Sequence, residues 1–238
     1  MGSIVIKNWD NKTWISSNDY IKLFNRFLLK NTRLNSNSII LDIGCSRGKI
    51  LGNLSSHLRL RTKPIGIDLI NHKDKDKRIK FQKIDGLSFF SNNDKKFDLI
   101  LIKQTIHLFS FYKIKRLIYN CKKSLNPEGA ILIFTLDPNN NELPLFKMMK
   151  KKLNKSLLRD KMISKLLHKL SPENTSKKFV YKVKISKKKY LKMIQNKFIS
   201  ILCSMRTKEI LHGIEEINRG FNKMLNFNDN LVCIILKK

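Results

Sequence analysis

The chain has 238 residues, enough for one large domain or two small ones, and its 42% hydrophobic content can bury a core. That excludes a disordered tail and a disulfide-stapled miniature. A net charge of +31, from 49 Lys and Arg against 18 Asp and Glu, admits nucleic acid, membranes and anionic substrates as partners. With 39 Lys, 10 Arg, 24 Asn and a single Ala, Ala130, the charge reads first as a solvated lysine surface. Dedicated nucleic-acid binders use more Arg, for its bidentate grip on phosphate and guanine.

Cys45, Cys121, Cys203 and Cys233 are widely spaced and the five His lie apart from them, so no zinc-ligand spacing appears and no metal is expected. Trp9 and Asp10 follow close behind Lys7, without the apolar stretch of a signal peptide. The longest apolar runs are about six residues, far short of the roughly 20 that cross a bilayer. A soluble, cytoplasmic protein with no membrane association is the expectation.

In chain order, Ser17 or Asn18 caps a predicted helix with apolar positions Ile21, Phe24, Phe27 and Leu28, expected across one end of a sheet. Residues 38–43 form the first predicted strand. The turn Gly44-Cys45-Ser46-Arg47-Gly48 then opens a helix whose apolar face is Ile50, Leu51, Leu54 and Leu58. Further strands are predicted at 64–69, 79–84, 97–102 and 130–136. Continuously apolar cores such as Leu99-Ile100-Leu101-Ile102 suit strands buried on both faces. Ile114, Leu117, Ile118, Cys121 and Leu125 recur at helical spacing, and Asn126-Pro127-Glu128-Gly129 reads as a turn.

From Lys147 to Lys197 the chain carries 18 Lys and Arg and, as acids, only Asp160 and Glu173. Helical periodicity there breaks near Ser171-Pro172. Residues 179–185 alternate like a half-covered strand. Ser186 is placed to cap a helix carrying Tyr190, Leu191, Ile194 and Phe198. Ile210, Leu211, Ile214, Ile217, Phe221 and Met224 predict a last helix, and residues 231–236 a last buried strand. This alternation of strands and helices predicts an α/β fold.

Three readings compete for the glycine turn. As a dinucleotide fingerprint it is poor, with Ser46 where the second glycine belongs and the third missing. As Gly-x-Ser-x-Gly it matches a hydrolase nucleophile elbow formally, but only about 40 residues precede it, with no confident strand among them. The third reading is a resemblance. Leu41-Asp42-Ile43-Gly44-Cys45-Ser46-Arg47-Gly48 resembles the first motif of class I S-adenosylmethionine-dependent methyltransferases, of the small-molecule kind typified by methyltransferase domains 11 and 25. Gly66-Ile67-Asp68, Ile84-Asp85-Gly86, Phe97-Asp98 with the loop from Lys103 to Leu108, and the turn into strand five resemble the later stations of that family in order.

The resemblance covers residues 38–137 clearly and implies a Rossmann-like, doubly wound, seven-stranded and mostly parallel sheet with helices on both faces. It further implies one domain over 1–238: an N-terminal helical lid (1–37), a cofactor-binding core (38–137), a Lys-rich helical cap (138–205) and a final helix and strand (206–238). S-adenosylmethionine would be held by Asp42, Gly44, Cys45, Ser46, Gly48, Asp68, Leu69, Asp85, Gly86 and Lys103, with Asp68 on the ribose hydroxyls and Asp85 near the adenine amino group. Taken singly, these acids could equally cap turns, Asp being common where chains turn.

The implied reaction is in-line methyl transfer to an O or N atom of a small molecule, which chiefly demands orientation. His107 is the candidate acid-base group, against its being a packed core residue. Trp9, Trp14, Tyr20, Gln104, Asn141, Glu142 and Ser200 are candidates for the acceptor pocket. Alternatives are an RNA methyltransferase using the basic 147–197 stretch, and an inactive methyltransferase-like binding protein. Lys103-Gln104-Thr105-Ile106 lacks the Asn/Asp-Pro-Pro-aromatic loop, the Pro-Cys pair and the strand-end Asp expected of several nucleic-acid methylators.

Overall fold

The computed structural model describes residues 13–91 and 93–238. Seven strands form one sheet in the order β3-β2-β1-β4-β5-β7-β6. They are β1 (Ile40–Ile43), β2 (Ile65–Asp68), β3 (Lys80–Lys83), β4 (Phe97–Lys103), β5 (Leu125–Leu136), β6 (Thr175–Ser186) and β7 (Met224–Lys237). The first five pair in parallel, whereas β7 runs antiparallel to both β5 and β6. The helices are α1 (Asn18–Asn31), α2 (Lys49–Leu58), α3 (Gly86–Ser91), α4 (Phe111–Lys123), α5 (Lys147–Leu170), α6 (Lys187–Gln195) and α7 (Thr207–Gly220). This is the doubly wound α/β architecture that the alternation of apolar runs predicts.

Two apolar layers cover the sheet. On one face Ile100, Ile102, Ile131 and Ile133 meet Ile114, Leu117 and Ile118 of α4 and Ile163 and Leu167 of α5. On the other, Leu99, Leu101, Leu132 and Phe134 meet Tyr20, Phe24 and Leu28 of α1 and Leu51 and Leu54 of α2. Alternate residues of β4 and β5 thus enter opposite layers, which is why their central stretches, Leu99 to Ile102 and Ala130 to Phe134, are apolar without a break. The helix expected across one end of the sheet lies on this second face instead. The reason is its broad aromatic stripe: Phe24 packs on Phe134 at 4.6 Å between ring centroids and on Phe179 at 5.1 Å.

Local signals set most boundaries. Ser17 caps α1 and Ser186 caps α6, each accepting a hydrogen bond from the amide three residues on. Residues 126–129 do not separate a helix from β5 as expected. They bulge within it, the register to β4 jumping between Phe97 paired with Leu125 and Leu99 paired with Ala130, while Asn126 donates to Asp98. The helix predicted to run through Phe198 stops at Gln195, where Lys197 takes a left-handed φ of 54°. Phe221 and Met224 likewise fall beyond α7, and Met224 opens β7.

β5 ends at Leu136 opposite Leu231, but β6 and β7 continue pairing to Ser186 opposite Met224. At about 3.3 Å per residue, this two-stranded ribbon overhangs the carboxyl edge of the parallel sheet by roughly 20 Å. A third apolar cluster forms on it. Phe146, which precedes α5, Met149 of its first turn, Tyr190 and Ile194 of α6, and Ile210 and Ile217 of α7 pack with Val183, Leu225 and Phe227 of the ribbon. The strand ends therefore face a roof. Among the described residues no helix is long and apolar enough to cross a membrane.

Candidate functional site

Between the carboxyl ends of β1, β2 and β4 and that roof lies a cavity of about 760 Å³. Its size is within the range that takes a nucleotide-sized ligand. The glycine turn forms one wall. Gly44 and Gly48 have φ of 80° and 69°, and Ser46 between them has 51°, so three left-handed residues alternate and only two have the freedom for it. Ser46 is held there because its amide donates to the Asp68 Oδ2 atom at 2.9 Å. The glycines also permit close packing of the turn. A Cβ on Gly44 would sit 2.2 Å from the Thr105 hydroxyl, and one on Gly48 would sit 2.2 Å from the Ile79 Cδ1 atom.

The acids at the strand ends are engaged differently. Asp42 is buried at 5% exposure and lines the cavity. Its Oδ1 atom has no hydrogen-bond partner. Burial pushes its carboxyl up to about 7, opposed by the charge of Lys103 and aided by Asp68. Asp68 accepts from Ser46 and, at 2.9 Å, from the amide of Ile70, and so ties the end of β2 to the turn. Asp85 accepts from the Ser88 hydroxyl and from the amides of Ser88 and Leu87, and these bonds hold its carboxyl below the usual range against the effect of partial burial. That carboxylate caps α3, the plain role open to a strand-end acid, while still bordering the cavity.

Cys45, Leu69, Gly86, Lys103, Gln104, Trp14 and Asn141 also line the cavity, and so does Ser200, which stands exposed at its rim. Lys103 is enclosed. Its ammonium lies 5.3 and 5.6 Å from the ring centres of Tyr20 and Phe24 and donates to the Gln104 Oε1 atom. Burial holds its pKa down to about 8 against the pull of Asp229 and Asp42. Two expected pocket residues lie elsewhere. Tyr20 is fully buried in the α1 layer, because its ring stacks with Phe24 and meets Phe179 edge-on. Glu142 turns away to accept from the backbone and side chain of Asn228 and from Asn230, stapling the loop after β5 to β7. Trp9 lies outside the described residues.

His107 lines the cavity on the short turn Ile106–Leu108. Burial, then the charge of Arg159, lowers its pKa, so its imidazole is neutral at pH 7 and able to take a proton. Arg159 fixes that turn by donating to the carbonyls of His107 at 3.0 Å and Phe109 at 2.7 Å.

Three site residues were not anticipated. Asp229 accepts from the Trp14 indole at 2.9 Å, joining the two chain ends beside Lys103. Arg47, 1% exposed, grips Asp74 through Nε at 2.7 and 2.9 Å and so anchors the glycine turn to the loop after β2. Asp160 of α5 lies in the cavity wall, 2% exposed. Its only sequence signal is that it is one of two acids in a basic stretch.

The buried carboxyls carry a consequence for stability. Asp42 and Asp160, raised to about 7 and about 6, keep protons in the native chain that the unfolded chain releases from about pH 4 upward. Stability of the unliganded protein should therefore fall as pH rises from about 4 to about 7. Melting temperatures measured across that window should show Asp42→Asn gaining on wild type with increasing pH. A gap that does not change with pH would contradict the assignment.

A sheet ordered 3-2-1-4-5-7-6 with an antiparallel seventh strand, a glycine turn after β1 and carboxylates at successive strand ends defines the class I methyltransferase fold. Residues 41–133 match the family model described as "Methyltransferase domain". Among solved structures, the chain is similar to the SAM-dependent methyltransferase of Geobacter sulfurreducens in complex with S-adenosyl-L-homocysteine. That likeness has a TM-score of 0.56 and 14% identity over 100% of this chain and 99% of the other. It is similar also to the plantazolicin methyltransferase BpumL in complex with a triazolic desmethylPZN analog and SAH (0.54, 19%, over 97% and 88%). A third is the N-methyltransferase NodS of Bradyrhizobium japonicum WM9 in complex with SAH (0.51, 12%, over 96% and 90%). At these identities they establish a shared fold. No curated protein matches the sequence.

Proposed function

We propose that this protein transfers a methyl group from S-adenosylmethionine to an O or N atom of a small molecule held beneath the ribbon and its helices. The observation that carries the reading is the orphaned oxygen of Asp42, buried at the foot of a cavity bordered by the glycine turn, Asp68 and Asp85. An uncompensated buried carboxylate is costly, and a cationic, donor-bearing ligand removes the cost. The residues present therefore fit the donor. When bound, it supplies an electrophilic methyl group on a positively charged sulfur.

The chain's own part is orientation. Asp68 presents its remaining acceptor positions to vicinal hydroxyls, and the Ser46–Gly48 turn approaches closely. The roof, with Trp14, Leu143, Phe198 and Phe227 in the cavity wall, excludes water and confines the acceptor. Neutral His107 takes the proton that an attacking hydroxyl or amine must lose. The small-molecule acceptor is supported by this enclosure, and NodS and BpumL, an N-methyltransferase and an enzyme solved with a desmethylPZN analog, are consistent with it.

The deciding experiment incubates the protein with methyl-labelled donor and separate metabolite and RNA pools. Label should enter the small-molecule pool; label in RNA would transfer the reading to the basic 147–197 surface. His107→Ala should lower turnover by about 10²-fold or more, as general bases typically contribute, and leave donor affinity within a factor of about two. Unchanged turnover would remove His107 from the reaction.

A further inference from the structure

We propose that Asp160 is the specificity group of the acceptor site and selects a cationic acceptor, an amine or guanidine, by pairing with its positive charge. This deepens the methyl-transfer reading and rests on it. Leu153, Ser156 and Asp160 are spaced on one face of α5 and all three line the cavity. One turn further, Ile163 and Leu167 on the same face enter the apolar layer under the sheet. A carboxylate at this junction is removed from water, at 2% exposure. A backbone hydrogen bond from Leu136 supports it, but its Oδ1 atom has no partner. The charge of the neighbouring Arg159 partly offsets that burial, but the hydrogen bonds it donates go to the carbonyls of His107 and Phe109.

Position separates this group from the donor. Leu136 ends β5, and β5 stands two strands from β1, the strand that carries Asp42 and the glycine turn. At about 4.8 Å per strand, the two carboxylates belong to parts of the cavity roughly 10 Å apart. The turn that carries His107 packs against α5, where Arg159, next to Asp160 in sequence, holds its carbonyl. The acceptor side thus combines a buried carboxylate with one unpartnered oxygen, a neutral base and apolar walls. In such low-dielectric surroundings a charge-assisted hydrogen bond to a protonated nitrogen far outweighs one to a neutral hydroxyl.

The probes are 4-phenylbutylamine and its alcohol counterpart, 4-phenylbutan-1-ol, titrated calorimetrically into the full chain with and without S-adenosylhomocysteine. Wild type should bind the amine at least about tenfold more tightly than the alcohol. Asp160→Asn should bring the two within about threefold while S-adenosylhomocysteine affinity stays within twofold. The same variant should melt above wild type in the unliganded state at pH 7, which shows that it folds and that the lone carboxylate costs stability. Equal binding of the two probes by wild type, binding of neither, or a preference that survives in Asp160→Asn would each overturn the proposal. Failure of S-adenosylhomocysteine itself to bind would instead overturn the donor reading, so the two are told apart.

Discussion

Gly44→Ala is expected to lower the melting temperature by roughly 5–15 °C and to reduce donor affinity by at least about 100-fold. Two costs add. At φ of 80° a β-carbon is strained, worth about 1–2 kcal/mol. It would also lie 2.2, 2.5 and 2.8 Å from Thr105 Oγ1, Cγ2 and Cβ, an overpacking that typically costs about 1–3 kcal/mol. Thr105 cannot simply turn aside, because its hydroxyl donates to the Lys103 carbonyl at 3.1 Å. At roughly 2–4 °C per kcal/mol for a chain of this size, the sum gives the expected shift. Relief would push the turn or the loop after β4 into the cavity, and hence the larger loss in binding.

A double-mutant cycle checks the cause. Thr105→Ala removes the two closest contacts and leaves the third, so Gly44→Ala should cost less in that background than alone. The thermal scan and a titration with S-adenosylhomocysteine report the two effects separately. A single variant that melts and binds like wild type would show that the turn is free to move and does not shape the site.

How much of this was legible in the sequence follows from the range of the interactions. The central stretches of β4 and β5 are continuously apolar because both faces are covered, and a run such as Leu99–Ile102 can be read locally. The Gly44–Gly48 turn is likewise local, since its left-handed residues follow one another within five positions. Asp160 could be noticed only as a rare acid, because whether it meets the cavity depends on where α5 crosses the sheet. The bond from Trp14 to Asp229 spans 215 positions and that from Asn228 to Glu142 spans 86; both are set by the pairing of β7, which no nearby residue encodes. Tyr20 illustrates the same limit in reverse. An aromatic beside an amphipathic helix looks like a lid or like core, and only the position of Phe134 and Phe179 on the sheet surface decides for core. Glycine periodicity and strand composition thus reveal the donor side, and the acceptor side emerges from tertiary packing.

The second large effect is expected at Asp68, whose replacement by Ala should weaken S-adenosylhomocysteine binding by about 100-fold or more with only a modest change in melting temperature. Its carboxylate has two duties. One is structural: Oδ2 accepts from Ser46, whose φ of 51° is unfavourable for a side-chain-bearing residue, and Oδ1 accepts from Ile70. Without it the Ser46 amide loses its partner and the left-handed conformation loses its support. The other duty belongs to the ligand, since each oxygen keeps a further acceptor position beside the cavity. Hydrogen bonds to a charged partner contribute about 1.5–3 kcal/mol each, so losing two toward vicinal hydroxyls is a drop of two orders of magnitude or more. Asp68→Asn retains acceptor geometry on one oxygen and should fall between the variant and wild type. A ligand change separates the duties: wild type should discriminate strongly against the 2′-deoxy analogue of S-adenosylhomocysteine, and Asp68→Ala should bind the two almost equally. Should the variant keep full discrimination, the hydroxyls are read elsewhere and Asp68 serves the turn alone.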